Sequence, residues 1–292
     1  MTRSDLRALA LLALALLLVG TRAAHAAQSY DNCSGFITSL PAVISTQGTW
    51  CLKQDLATAM TSGTAITIAT NNVTIDCNDF KLGGLAAGIG TLTAGIYAVD
   101  RQNATVRHCN IRGFLYGINL VNPSATSGGH LIEDNRFDGN TYSGIHVEGD
   151  GSTVRRNRVF DSGGTTAFDD ARALVAVFNV DVLDNTVSGV TARSGTGSYA
   201  IGMTTFLNST SSVNGNRVSG VLGDGSGASY GIYNFTSSRV AMRDNDLLGN
   251  AATGSVGIFC TTGNANAKDN VINGFATAWT TCSDGGGNTV VP

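Results

Sequence analysis

Two short motifs recur through most of this chain, and together they constrain its fold more than any other feature. The first is an apolar residue, an Asn three places on, and a second apolar residue two places later. It reads Ile132, Asn135, Phe137; Val154, Asn157, Val159; Val182, Asn185, Val187; Val213, Asn216, Val218; Met242, Asn245, Leu247; and Ala267, Asn270, Ile272. The second lies ahead of these segments as Gly95-Ile96, Gly117-Ile118, Gly144-Ile145, Gly231-Ile232 and Gly257-Ile258, with Ala200-Ile201 as a variant and Leu174-Val175 as a degenerate copy. Successive Asn positions are 22, 28, 31, 29 and 25 residues apart. A variable period of that length, built from short β-prone runs and glycine turns, means one coil of a solenoid per repeat, with insertions confined to loops. Helical repeats need long stretches of 3.6 periodicity, which are absent, and so is the leucine pattern of leucine-rich repeats.

Stacking gives this pattern its physical meaning. Each coil adds one strand to each parallel sheet, about 4.8 Å above the last. Ile and Val at equivalent places then stack inside, and the six Asn residues form an inward ladder whose amides bond one another. A buried Asn without partners costs roughly 1–3 kcal/mol, so six in register argue for a real ladder.

The Gly-Ile strand followed by the apolar-x-x-Asn-x-apolar turn resembles the repeat of the pectate-lyase-like superfamily of right-handed parallel β-helices. The segment from Phe36 to Leu52, with Leu40-Pro41 and Trp50-Cys51, looks like the first coil of many exported bacterial proteins of that type. The resemblance covers roughly residues 35–275. It implies an all-β fold, a right-handed parallel β-helix of roughly eight to ten coils. It leaves activity open, because the superfamily holds lyases, hydrolases, esterases, epimerases and non-catalytic adhesins.

Export is legible at the N-terminus. Arg3 and Arg7 precede an apolar run over residues 8–19, and Ala24-His25-Ala26 supplies a small-x-small cleavage pattern. That order predicts a signal peptide over residues 1–26 and a secreted or periplasmic single β-helix domain over 27–292. No later segment is apolar enough to span a bilayer. The chain carries a formal charge of −3, and residues 1–26 hold Arg3, Arg7, Arg22 and Asp5, so the remainder is near −5. This mildly acidic balance argues against nucleic acid as a partner. Only 13% of residues are charged and there are three prolines among 37 glycines, which suits many tight turns better than disorder.

Six cysteines in an exported chain are expected to pair. Cys109 takes the ladder place in the coil of Val106, and Cys77 takes the matching turn one coil earlier, so stacking predicts Cys77–Cys109. Cys33 with Cys51 and Cys260 with Cys282 would clip the two ends; a different pairing or free thiols is the alternative. The histidines are scattered and no Cys-x-x-Cys occurs, so no metal site is expected.

In relatives of this fold the groove over the Gly-Ile sheet binds sugar. Alternate positions of a strand point outward, so the residue after each Ile should face that groove: Tyr97, Asn119, His146, Ala176, Gly202, Tyr233 and Phe259. Two places on come Val99, Val121, Glu148, Phe178, Thr204, Phe235 and Thr261. The candidate catalytic residues are His146 as base and Glu148 as acid or orienting group. Tyr97, Asn119, Phe178, Tyr233, Phe235 and Phe259 are the candidate contacts to a polysaccharide or surface glycan. The bland alternative is a surface pair on an inert sheet. Motifs of particular relatives are missing: there is no Gly-His-Gly with paired aspartates and no Asp-Pro-His-Asp, and Asp169-Asp170 falls in a loop. The candidate activities are therefore polysaccharide lyase or glycoside hydrolase, with calcium as a cofactor only in the lyase case, or a non-catalytic envelope protein. Elsewhere, alternating signs at Arg107, Glu133, Arg155 and at His108, Asp134, Arg156, Asp184 predict charge pairing up the stack. Arg136 and Arg158 are like-charged neighbours suited to an anion. The oligomeric state is left open.

Overall fold

The computed structural model describes residues 30–206, 210–235 and 239–291. The expected signal peptide, residues 1–26, lies outside the described residues. The chain divides into two units, Met1–Asn32 and Cys33–Pro292, and the solenoid occupies the second.

The second unit is a right-handed parallel β-helix. Its described strands form three parallel sheets of eleven, ten and ten strands. One coil runs from Leu131–Glu133 in the first sheet, through Arg136–Asp138 in the third, to Ser143–Glu148 in the second, and returns to the first at Ser152–Arg155. The motif register holds: Ile132 pairs with Val106 and Val154, and Phe137 with Ile111 and Val159. One inward column per sheet makes the core, for example Ile75, Val106, Ile132, Val154 and Val182, all fully buried. Each such side chain stabilises the stack by about 1.5–3 kcal/mol.

The ladder sits at the turn between the first and third sheets. Asn135, Asn157, Asn185, Asn216, Asn245 and Asn270 each donate Nδ2 to Oδ1 of the next coil's Asn at 2.9–3.1 Å. Each backbone N–H reaches that same oxygen, and a second Nδ2 proton goes to a carbonyl of the preceding coil, as from Asn216 to Val182. The ladder extends one rung beyond expectation, to Asn288, whose Nδ2 donates to Asp284 Oδ1 at 2.8 Å and so closes the series. At the other end Asn135 Oδ1 accepts the N–H of Cys109. The residue before each ladder Asn is left-handed: φ is 54° at Asp134, 55° at Asp184, 54° at Asp244 and 66° at Gly215. Asp and Gly tolerate that region at low cost, which is why they recur there.

Three disulfides join Cys33–Cys51, Cys77–Cys109 and Cys260–Cys282, the second with Cα atoms 4.7 Å apart. The charge alternation is real pairing: Arg155 and Arg156 both reach Glu133, at 2.7 and 2.8 Å, and Arg156 also bonds Asp134 at 2.7 Å. Among the described residues, no helix is long and apolar enough to cross a membrane.

Candidate functional site

The outer face of the second sheet carries the candidate residues. Strand pairing sets its first outward column as Tyr97, Asn119, His146, Val175, Thr204, Tyr233 and Phe259. Two places on, Glu148, Val177, Phe206 and Phe235 follow one another. Two middle coils therefore differ from the sequence reading. Leu174 pairs with Ile145, and Met203 pairs with Leu174 and Ile232, so Val175 and Thr204 replace Ala176 and Gly202 in the column. Phe178 accordingly leaves the groove: it follows the end of its strand, in the turn, with φ 70°. In the Met203 coil the reason is steric. The Gly of each Gly-Ile motif lies against the next coil's carbonyl, and a Cβ on Gly117 would lie 2.5 Å from Gly144 O. Gly202 answers to that need, with Met203 in the Ile place, whereas Ala200-Ile201 only resembles the motif.

His146 and Glu148 are brought together. His146 Nε2 lies 2.9 Å from Glu148 Oε1, and Glu148 Oε2 accepts the Asn122 N–H at 2.8 Å. Burial pushes the Glu148 carboxyl up, but the bonds from His146 and Asn122 outweigh it and hold its pKa below the usual carboxylate value. A carboxylate held ionised, with both oxygens engaged, orients its neighbour and has no proton to donate. With its Nε2 proton directed at Glu148, the imidazole presents Nδ1 as a free acceptor.

The pair opens into a cavity of about 270 Å³ walled by Tyr116, Tyr142, Arg172 and Phe206 and floored by Val175 and Val177. None of these six was singled out from sequence. Tyr116 stands immediately before a Gly-Ile motif, so a reading extended one residue upstream would have found it; Arg172 holds the same place before Ala173, hidden by the register slip in that coil, and Tyr142 lies one residue further back. The rings interlock: Tyr142 lies edge-on to Tyr116 with centroids 5.3 Å apart, and Phe168 covers Tyr142 at 4.5 Å. Burial raises the pKa of both phenols, so each is a neutral donor. Arg172 donates Nε to Asp170 at 2.8 Å. Burial opposes its charge, but Tyr142 and Asp170 outweigh that and keep the guanidinium protonated.

Arg172 also walls a second, adjoining cavity of about 140 Å³ with Tyr199, Phe206, Tyr233 and Phe235. There Tyr233 stacks against Phe259 at 4.8 Å and Phe235 at 6.0 Å, with Tyr230 edge-on at 4.9 Å. Tyr233, Phe235 and Phe259 thus form one aromatic shelf. Tyr97 and Asn119 share the column of His146 but do not line its cavity; Asn119 Oδ1 is buried without a hydrogen-bond partner. On the third sheet Arg136 and Arg158 are paired in register, with Arg136 held over the Phe160 ring at 4.6 Å and 3.5 Å from Asp138. Among the described residues, no three His, Cys, Asp or Glu side chains gather as a metal site.

A second histidine has the outline of a nucleophile pair, with Ser127 Oγ 2.7 Å from His130 Nε2. Its hydrogen bonds run the wrong way for activation. His130 Nδ1 accepts the Ala104 N–H, so Nε2 carries the proton and donates to Ser127, whose own proton goes to Arg101 O. An imidazole so arranged cannot take the serine proton.

A family model described as a right handed beta helix region matches residues 42–179 and 94–291. No curated protein matches the chain. Among solved structures, the A-module of the mannuronan C-5 epimerase AlgE6 of Azotobacter vinelandii aligns over 89% of this chain and 91% of that one, at 13% identity and a TM-score of 0.49.

Proposed function

The chain belongs to the right handed beta helix family, and from that premise we propose that it is an exported protein that binds polysaccharide along the groove of the second sheet and cleaves it. The observation that carries this reading is the adjacency of the His146–Glu148 pair to a shelf of stacked aromatics, joined through Arg172. Aromatic faces suit the apolar faces of sugar rings, and phenols and guanidinium suit their hydroxyls and carboxylates. Three disulfides support an oxidising compartment outside the cytosol.

Of the two cleavage chemistries, the groups favour a lyase. A glycoside hydrolase uses two carboxylates roughly 5–10 Å apart, commonly with one kept protonated, and Glu148 is held ionised with both oxygens bonded. In the lyase reading His146 Nδ1 takes the proton from the carbon beside a uronate carboxylate. The released electron pair forms a carbon–carbon double bond and expels the glycosidic oxygen, which takes a proton from a neutral phenol of the wall, Tyr116 or Tyr142, that solvent then restores. Arg172 faces the carboxylate. A second reading, a non-catalytic envelope protein using the same groove, is favoured by one observation: His146 with Glu148 and Arg172 with Asp170 already satisfy one another.

The test is incubation of the mature protein with uronate and neutral polysaccharides, with and without calcium, following the ultraviolet absorbance of unsaturated uronates and new reducing ends. The lyase reading expects absorbance, and His146→Ala should lower turnover by at least about 10²-fold with glycan affinity changed less than about threefold. Unchanged turnover in His146→Ala removes the catalytic role. Binding without turnover in the wild type selects the envelope reading, and no binding at millimolar glycan removes both.

A further inference from the structure

A cavity of about 430 Å³ lies off the groove, at the turn between the second and first sheets, lined by Gln102, Asn122, Thr126, Asp150 and Phe178 among others. Phe178 occupies it at a conformational cost. The residue that follows the second-sheet strand is left-handed in several coils, and elsewhere the place is filled by Asp100 with φ 51° and Gly149 with φ 123°. Asp and Gly visit that region readily, whereas a bulky aromatic with φ 70° is an outlier. Strain of this kind persists where a function holds it. Here its effect is to set a half-buried ring against the cavity.

The rest of the wall is polar and partly uncommitted. Asp150, which lines the cavity, accepts Asn179 Nδ2 at Oδ1 at 3.1 Å, which leaves Oδ2 as a further acceptor. Gln102 donates Nε2 to Thr126 O, which leaves Oε1 as an acceptor. Asn122 is anchored through Oδ1, which accepts the Ser127 N–H at 2.7 Å, so its Nδ2 remains a donor. The lining holds one carboxylate and no cation among the described residues. An aromatic face beside amides and one carboxylate, with both donors and acceptors free, matches a hydroxyl-rich ring without charge.

We propose that this cavity is a second carbohydrate site, selective for a neutral sugar unit, in which the Phe178 ring stacks on the sugar and Asp150 accepts from its hydroxyls. It is separate from the groove but not remote from it: the Asn122 N–H that bonds Glu148 belongs to the residue whose side chain lines the cavity. The proposal does not require the groove to be catalytic.

Neutral gluco-, galacto-, manno- and xylo-oligosaccharides would be titrated into the full mature chain by calorimetry and by amide chemical shifts, alongside Phe178→Gly, Asp150→Asn and Tyr233→Ala. At least one neutral probe should bind, moving the Gly128 and Asn103 amides. Phe178→Gly should weaken that probe by tenfold or more while raising the melting temperature, since Gly relieves the strain. Asp150→Asn, which preserves shape, should weaken it about threefold or more, and Tyr233→Ala by less than twofold. Neutral binding that survives Phe178→Gly and Asp150→Asn but is lost in Tyr233→Ala overturns the cavity site and leaves the groove reading standing. No neutral binding at ten millimolar, with a uronate probe still bound, overturns the cavity site alone.

Discussion

His130 shows what one residue contributes when its surroundings choose its protonation state. It is 1% exposed, accepts the Ala104 N–H at Nδ1, and donates to Ser127 from Nε2. Burial lowers its pKa to about 4 from an ordinary 6.5. The unfolded chain therefore binds one more proton than the folded chain between those two values. The stability linked to this group is fully present above pH 6.5 and is lost as pH falls through 6.5 toward 4, on the order of 3 kcal/mol in all. Urea midpoints measured from pH 7 to pH 4 should fall through that window, and His130→Gln should flatten the fall while lowering stability at pH 7. The carboxylates Asp76, Asp134 and Glu148 are also held below their ordinary values, so the stability linked to them is lost only as pH falls through the carboxylate range, at the acid end of this window and beyond it. An unchanged midpoint in the wild type between pH 6.5 and 4.5 would show that His130 is solvated. None of this was legible in sequence: one His after two glycines follows no period, and its burial depends on Ser127 and Ser152 from neighbouring turns.

At the scale of the element, the ladder and the sheet register were read with unequal success for one reason. The ladder Asn has partners of its own kind above and below, so its place is marked in every coil, and six of its members were visible as a period. Asn288 escaped because its coil is only 18 residues from Asn270 and lacks the preceding apolar residue three places back. The second-sheet register failed at Met203 because Gly202, not Ala200, answers to the steric demand of the next coil, and at Leu174 because Ala173 stands in the Gly place and the motif is lost from that coil. Seven-residue strands in these coils, Ala171–Val177 and Ala200–Phe206, left room for that slip. The ladder also makes a quantitative claim. Asn216→Ala removes two bonds accepted from Asn185 and two donated to Val182 and Asn245, and leaves buried donors in Asn185 unpaired. It should cost about 3 kcal/mol or more. Asn288→Ala, at a partly exposed end, should cost about 1 kcal/mol. Chemical denaturation of the two variants tests this, and equal costs would mean that the inner rungs gain nothing from being enclosed.

At the scale of the whole solenoid, each coil touches only its neighbours, so stability is a sum of local terms and the ends are where it fails first. The last strands, Ser283–Asp284 and Thr289–Val291, are exposed along their length. Cys260–Cys282 ties this end to the coil before it, closing a loop of 22 residues. Such a loop is worth about 3 kcal/mol by chain entropy, or roughly two decades in local opening. Replacing both cysteines by Ser should therefore raise amide exchange about a hundredfold in residues 256–291 and leave Val180–Leu183, deep in the stack, unchanged. Phe259 adjoins Cys260 in the strand Val256–Cys260 and stacks on Tyr233. Loosening this end should thus weaken any ligand held on the aromatic shelf while sparing the His146–Glu148 pair several coils away. Exchange that rises equally in all coils would instead make the stack one cooperative unit, and the end disulfide would then guard the whole groove rather than its last rung.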